Sequence, residues 1–117
     1  MKARYIDFGE IEINGKVYDY DVIIENGKVS KRKKKASRPF RDRFGHTPLS
    51  VDENIPLEGK QLIVGTGIYG RLPVMGEVLK KAEQRGVEIK CIPTDEACKL
   101  ISQKEDKEIH AILHVTC

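Results

Sequence analysis

Residues 61–93 constrain the fold more than any other stretch of this sequence. A short apolar run at 62–64 leads into a glycine-rich turn, apolar residues then recur at helical spacing over 75–82, and apolar and polar residues alternate over 87–91. Strand, turn, helix and strand form a βαβ unit, the connection that places two parallel strands side by side. The sequence therefore predicts an α/β domain built on this unit.

Two further segments extend the unit. The apolar spacing predicts helices over 74–85 and 95–104 and strands over 61–65, 87–92 and 108–114. We expect the three strands to be neighbours in one mixed sheet with both helices packed on it, since a parallel sheet buries its faces under helices.

The N-terminal third predicts β-hairpins. Asn-Gly pairs at 14–15 and 26–27 are typical of two-residue hairpin turns, which need positive φ at both central positions. The second turn would pair Ile24 with Val29. We therefore expect residues 3–30 to form a β-hairpin or meander layer, giving a small three-layer α/β domain.

Length and composition limit the classes of protein. At 117 residues the chain is expected to be a single domain spanning 1–117. No apolar run approaches the ~18 residues of a membrane helix, and the N-terminus lacks the apolar core of a signal peptide. Three cysteines without paired spacing favour a reducing compartment, so we predict a cytoplasmic protein with no membrane association. Two of them, Cys91 and Cys98, fall on apolar faces and are predicted to be buried.

The glycine turn formally satisfies the dinucleotide fingerprint G-x-G-x-x-G at 65–70. Pro73 delays the start of the helix, and a second βαβ half is missing, so a dinucleotide is disfavoured and no cofactor is predicted. A structural turn and a site where backbone amides hold a small anion both stay open. Thr94, a predicted helix cap, would face the same mouth beyond the parallel strands. The candidate ligand-binding residues are Gly65, Thr66, Gly67, Gly70, Arg71, His46 and Thr94.

A basic loop at 31–45 lies within a connection, 31–58, that has at most a helical turn at 50–54. Residues 28–43 hold nine Lys or Arg against one acid, Asp42. We expect this loop to be solvent-exposed, and to bind nucleic acid only weakly and without sequence preference, because no nucleic-acid-binding signature accompanies it. The candidate polyanion-binding residues are Lys31, Arg32, Lys33, Lys34, Lys35, Arg38, Arg41 and Arg43.

The histidines and cysteines predict neither a metal site nor a catalytic site. His110 and His114 lie on a predicted strand, where a four-residue spacing is not that of a zinc pair on a helix. His114 and Cys117 would project to opposite faces of that strand, and a terminal carboxylate next to Cys117 should blunt its reactivity. No catalytic residue is therefore predicted.

Four ordered stretches carry a family resemblance, and they are Gly9–Tyr18, 65–74, 93–97 and the final His-Val-Thr-Cys at 114–117. Together they resemble the adipogenesis-associated Mth-type domain family, a family of unknown function that is related to a mitochondrial complex I assembly factor. The resemblance implies a three-layer α/β fold with a mixed sheet and a hairpin layer, and an assembly or regulatory role. Many members carry tryptophans where this chain has the basic loop.

From these observations we expect a non-enzymatic binding or assembly protein that acts through an unidentified protein partner or a small anion at 65–71. Polyanion binding by the basic loop 31–43 is the first alternative. An enzyme that uses the glycine-turn pocket is the second. The sequence is also compatible with a homo-oligomer.

Overall fold

The computed structural model describes all 117 residues, which form eight strands and three α-helices. In chain order the strands are β1 (Ala3–Asp7), β2 (Glu10–Ile13), β3 (Lys16–Tyr18), β4 (Val22–Glu25), β5 (Lys28–Lys31), β6 (Gln61–Gly65), β7 (Glu88–Ile92) and β8 (His110–Leu113). The helices are α1 (Arg41–Phe44), α2 (Gly76–Gln84) and α3 (Thr94–Ile101), with 3-10 segments at Lys35–Phe40 and Asp106–Glu108.

A five-stranded mixed sheet with the order β5-β4-β8-β6-β7 forms the centre of the domain. Strand β6 runs parallel to both β7 and β8, whereas β4 runs antiparallel to β5 and β8. The predicted mixed α/β sheet built on the βαβ unit is confirmed. Strands β1, β2 and β3 form a separate antiparallel sheet.

Both predicted hairpin turns are present. The asparagines have φ of 51° and 52° and the glycines that follow have φ of 85° and 80°, as the turn type requires. The register is also as predicted, with Ile24 opposite Val29. The second hairpin, however, belongs to the central sheet rather than to the N-terminal layer, because β4 pairs along its whole length with β8.

The two longer helices cover opposite faces of the central sheet, which gives the layered arrangement. Helix α2 and the segment around Leu49 and Leu57 bury one face. Helix α3 buries the other, together with the N-terminal sheet. The side chains of β8 alternate between the two faces, since Ile112 lies in the first cluster. Ala111, Leu113 and the flanking Ile109 and Val115 lie in the second.

Three sequence predictions about exposure and local structure are wrong. Cys91 is exposed, because β7 is an edge strand that has a neighbour on one side only. The basic loop contains a 3-10 segment and α1. The sequence does not predict them, because the charged residues of the loop show no apolar period of a helix. Within that loop Arg32 and Ser37 are buried, so it is not uniformly solvent-exposed.

The two long helices are slightly shorter than predicted, and Thr94 does not cap α3. Pro93 occupies the N-cap position, and Thr94 makes its hydrogen bonds to other segments. No helix of the chain is long and apolar enough to cross a bilayer.

Candidate functional site

Three neighbouring strands of the central sheet, β4, β5 and β8, bring polar residues together at one end of the strands. Val22 of β4 is the Cα partner of Lys31 on one side and of Leu113 on the other. The residue next to each of these three, just beyond the strand end, is polar and has a buried side chain. These residues are Asp21, Arg32 and His114.

Arg32 is the centre of a buried ion network. Its Nε and Nη2 donate to the two carboxylate oxygens of Glu53 at 2.7 and 2.8 Å, and its Nη1 donates to Oδ2 of Asp21 at 2.9 Å. Nη2 also donates to the carbonyl of Pro48 at 3.1 Å. Burial would lower the pKa of Arg32, but the hydrogen bonds and charges of Glu53 and Asp21 raise that pKa above its ordinary value. The guanidinium is therefore a permanent cation beneath the surface.

Asp21 links this network to the end of β8. Its Oδ2 lies 2.8 Å from Nδ1 of His114, and its Oδ1 accepts the backbone N–H of Val115 at 3.0 Å. Burial would raise the pKa of Asp21, but the hydrogen bond and charge of His114, the Val115 N–H and the Arg32 charge together lower that pKa to about 2. The carboxylate thus fixes the position of the last residues of the chain.

The lowered pKa of Asp21 predicts an acid-sensitive fold. Its carboxylate has a pKa of about 2 in the folded protein, against an ordinary value of 3.8. A group with a depressed folded pKa stabilises the protein above its unfolded pKa, and this contribution, on the order of 2 kcal/mol, is lost as pH falls from about 4 to about 2. Urea unfolding across that range should show a smaller loss of stability in Asp21→Asn than in the wild type. Equal slopes would contradict the assignment.

An open pocket of about 680 Å³ lies over this network. Its walls include Lys34, Arg38 and Arg41 from the basic loop, and none of these three side chains forms an ion pair. Asp42 is the one acid in the lining, which is completed by Arg32, Gly45, His46, Thr47, His114, Thr116 and Cys117. The pocket is therefore strongly basic, with hydroxyl, imidazole and thiol groups between the cations.

A thiol and two imidazoles meet at this pocket. Sγ of Cys117 lies 3.6 Å from Nδ1 of His46, and Oγ1 of Thr116 lies 3.1 Å from Nε2 of His114. The sequence prediction for Cys117 concerned only His114, which lies near it on the same predicted strand. The structure instead places His46 beside Cys117, from just after the basic loop and 71 positions away along the sequence.

The glycine turn holds the chain's own C-terminal segment. The N–H of Ile68 donates to the Thr116 oxygen at 2.8 Å, and the N–H groups of Tyr69 and Arg71 donate to the Cys117 oxygen at 3.3 and 3.1 Å. The remaining amides of the turn also have partners inside the chain. They are those of Thr66 (to Ile92), Gly67 (to Thr94 Oγ1), Gly70 (to Gly67) and Leu72 (to Thr66). This leaves none of the amides of residues 66–72 free for an anion.

The structure separates the predicted ligand-binding residues. His46 lines the basic pocket, whereas Gly65, Gly67 and Thr94 contact residues 114–117. Thr66 and Gly70 make their hydrogen bonds to Ile92 and Gly67 instead. The guanidinium of Arg71 lies over the ring of Tyr69, 5.4 Å from its centroid. The glycine turn thus meets the pocket only indirectly, through the segment that it holds.

The predicted polyanion-binding residues also divide. Arg32 is buried in its ion network, and Lys34, Arg38 and Arg41 line the pocket. The other four are exposed: Lys31, Lys33, Lys35 and Arg43. Lys31, Lys33 and Lys35 line an adjoining depression, and the guanidinium of Arg43 lies over the Phe44 ring.

The sequence contains a local signal for part of the buried network. The second Asn-Gly turn fixes the register of β4 and β5, and that register continued one step places Asp21 opposite Arg32. The backbone confirms it, since the N–H of Arg32 donates to the Asp21 carbonyl at 2.8 Å. No such local signal exists for Glu53 or for the His46–Cys117 contact. No group of three or more His, Cys, Asp and Glu side chains is arranged to hold a metal ion.

Comparison with known proteins places the sequence in a family. Residues 3–114 match the family described as "Protein of unknown function (DUF498/DUF598)". The chain belongs to the DUF498/DUF598 family. No curated protein matches it. The family description names no activity.

Solved structures share this fold. The conserved hypothetical protein PH1505 from Pyrococcus horikoshii OT3 is 35% identical, with a TM-score of 0.77 and 100% of both chains covered. A protein titled MT938 is 24% identical, with a TM-score of 0.69, over 98% of this chain and 99% of that one. An outer membrane protein from Bartonella henselae is 14% identical, with a TM-score of 0.65, over 99% and 97% of the two chains. The latter two show that the DUF498/DUF598 fold recurs at low identity.

Proposed function

We propose that this protein binds a small anion bearing phosphate or carboxylate groups in the basic pocket. The observation that carries the proposal is the convergence of Lys34, Arg38 and Arg41 on one pocket with no ion-pair partner. The one acid in the lining, Asp42, leaves these cations in excess, and an anion in the pocket would relieve the repulsion among them. Arginine also presents paired N–H donors that match carboxylate and phosphate oxygens.

The buried network supports the proposal by fixing one wall of the pocket. Arg32 is only 3% exposed, and both of its acid partners are buried with it. Ser37 Oγ donates to Glu53 Oε2 at 2.5 Å, so the 3-10 segment that carries Arg38 is tied to the same carboxylate. A site whose walls are fixed before the ligand arrives loses less conformational freedom on binding.

The size of the pocket favours a small ligand over nucleic acid. Its volume of about 680 Å³ falls within the 300–1,000 Å³ that is typical of small-molecule sites. Lys31, Lys33 and Lys35 lie outside the pocket, in the adjoining depression, and could attract a polyanion through charge alone. That alternative predicts weak, salt-sensitive binding in which no single cation dominates.

The proposal predicts a difference between two arginines of the same helix. Arg41 lines the pocket, whereas Arg43 lies outside it over the Phe44 ring. Arg41→Ala should weaken the binding of pyrophosphate at least about tenfold, because a hydrogen bond to a charged group contributes about 1.5–3 kcal/mol. Arg43→Ala removes the same charge from the same segment and should change the dissociation constant less than about twofold. Calorimetric titration of both variants with pyrophosphate and citrate measures the difference.

The outcomes separate the competing functions. Equal weakening of binding by the two substitutions would mean that the anion binds a diffuse basic surface rather than the pocket. A single-stranded oligonucleotide should then bind with a steep salt dependence. Absence of binding by the wild type at millimolar pyrophosphate and citrate would refute the anion site. A function through a protein partner would then remain.

We also propose that the chain belongs to the adipogenesis-associated Mth-type group, with a cytoplasmic location. The support is the ordered set of four stretches, which ends in His-Val-Thr-Cys at 114–117. An assembly role with a protein partner is compatible with an anion site, because the ligand could set the conformation of the basic loop.

A further inference from the structure

We propose that Cys117 is a reactive thiol that forms a mixed disulfide with small anionic disulfides drawn into the basic pocket. The inference rests on the proposed anion site for its charge selectivity and goes beyond it in assigning a covalent reaction. Two observations carry it together. Cys117 lies in the lining of a pocket walled by Lys34, Arg38 and Arg41, and its Sγ lies 3.6 Å from an imidazole nitrogen.

The geometry supplies what thiol–disulfide exchange needs. His46 Nδ1 lies where it can accept the Sγ proton when that nitrogen is the unprotonated one of the ring. The thiolate then attacks one sulfur of the anionic disulfide, so that an Sγ–S bond forms as the S–S bond of the reagent breaks. The second sulfur leaves as a thiolate with the bonding electron pair and takes up a proton from the imidazolium or from water. Cys117 is oxidised, and the departing thiol is the reduced product.

The C-terminal segment is held in place for this reaction. The Cys117 oxygen accepts the N–H groups of Tyr69 and Arg71, and the Thr116 oxygen accepts that of Ile68. These bonds keep the residue half-buried at the pocket rather than free in solvent. The glycine turn therefore positions the thiol in place of binding the anion itself.

The other two cysteines provide internal controls. Cys98 is 1% exposed, and burial together with the Asp95 charge raises the pKa of its thiol to about 12. Cys91 is exposed on the edge strand β7, at the opposite edge of the sheet from β5. Cys91 is thus an accessible thiol without the basic pocket, and Cys98 is a thiol that should not react in the folded protein.

The test compares an anionic with a neutral disulfide. Dithiobis(nitrobenzoate) is a dianion and dithiodipyridine is neutral, and each releases a thiol whose absorbance reports the reaction. The rate ratio of the anionic to the neutral reagent should be at least about tenfold higher for Cys91→Ser, which retains Cys117, than for Cys117→Ser, which retains Cys91. The excess should shrink severalfold between 0.05 and 0.5 M salt, since screening weakens attraction between separated charges. Mass spectrometry of the peptides locates each adduct.

Two further variants separate the parts of the proposal. In the Cys91→Ser background, Arg41→Ala should lower the rate with the anionic disulfide severalfold more than the rate with the neutral one. His46→Asn should lower both. Equal rate ratios at Cys117 and Cys91, or no adduct at Cys117, would overturn the inference. If Cys117 fails to react while pyrophosphate still binds the wild type, the anion site stands without the covalent step.

Discussion

Arg32→Ala is expected to lower the free energy of unfolding by about 3–5 kcal/mol, the range measured when one partner of a buried ion pair is removed. The substitution leaves the carboxylates of Asp21 and Glu53 buried, 7% exposed each, without the cation that both contact. A typical domain of this size has a stability of only about 5–15 kcal/mol, so the variant should lie near the limit of folding.

Arg38→Ala is the matched control. Arg38 comes from the same basic segment, is exposed, and forms no ion pair, so its removal should change the stability by less than about 0.5 kcal/mol. Arg32→Lys should fall between the two, because lysine keeps the charge but cannot reach both carboxylates through a planar fork. Urea unfolding followed by circular dichroism orders the three variants. If Arg32→Ala lowered the free energy of unfolding by less than about 1 kcal/mol, the ion network would contribute little to the stability of the fold.

The βαβ unit and both hairpins could be predicted because each depends on local signals. Apolar spacing specifies which face of α2 and α3 is buried, and an Asn-Gly pair fixes both the turn and its register. The same local signals failed where pairing depends on distant segments. Nothing near 22–25 indicates that β4 joins β8 in the central sheet, since that contact lies almost 90 positions away.

The candidate site was predicted only in part for the same reason. The sequence showed that 31–45 is basic, but not that Arg32 is withdrawn into an ion network while Arg38 and Arg41 converge on a pocket. It identified His46 as a ligand candidate but did not predict the contact between His46 and Cys117. The amides of the glycine turn looked available because the residues that occupy them, Thr116 and Cys117, lie about 50 positions further along. Whether a backbone donor is free depends on the whole fold.

Gly67→Ala should be the most damaging substitution in the glycine turn. Gly67 has a φ of +101°, where residues with a Cβ are strained. A Cβ added there would overlap the backbone carbon of Cys117 and would approach the oxygen of Thr116 within 2.9 Å. Strain and overlap together should cost about 3 kcal/mol or more, and the C-terminal segment should be displaced from the turn.

Two other glycines of the same region provide graded controls for this effect. Gly70 also has a positive φ, +66°, but a Cβ there would meet no atom closer than 3.5 Å, so Gly70→Ala should cost only about 1–2 kcal/mol. Gly76 begins α2 with open space around it, and Gly76→Ala should be neutral or stabilising by up to about 1 kcal/mol.

Thermal and urea unfolding of the three alanine variants should therefore rank Gly67 above Gly70 and Gly70 above Gly76. The contacts with Thr116 and Cys117 set this order, because the turn amides hold the chain itself. If Gly67→Ala were as stable as Gly76→Ala, residues 116 and 117 would not be seated on the turn. The positioning of Cys117 beside His46 would then lose its structural basis.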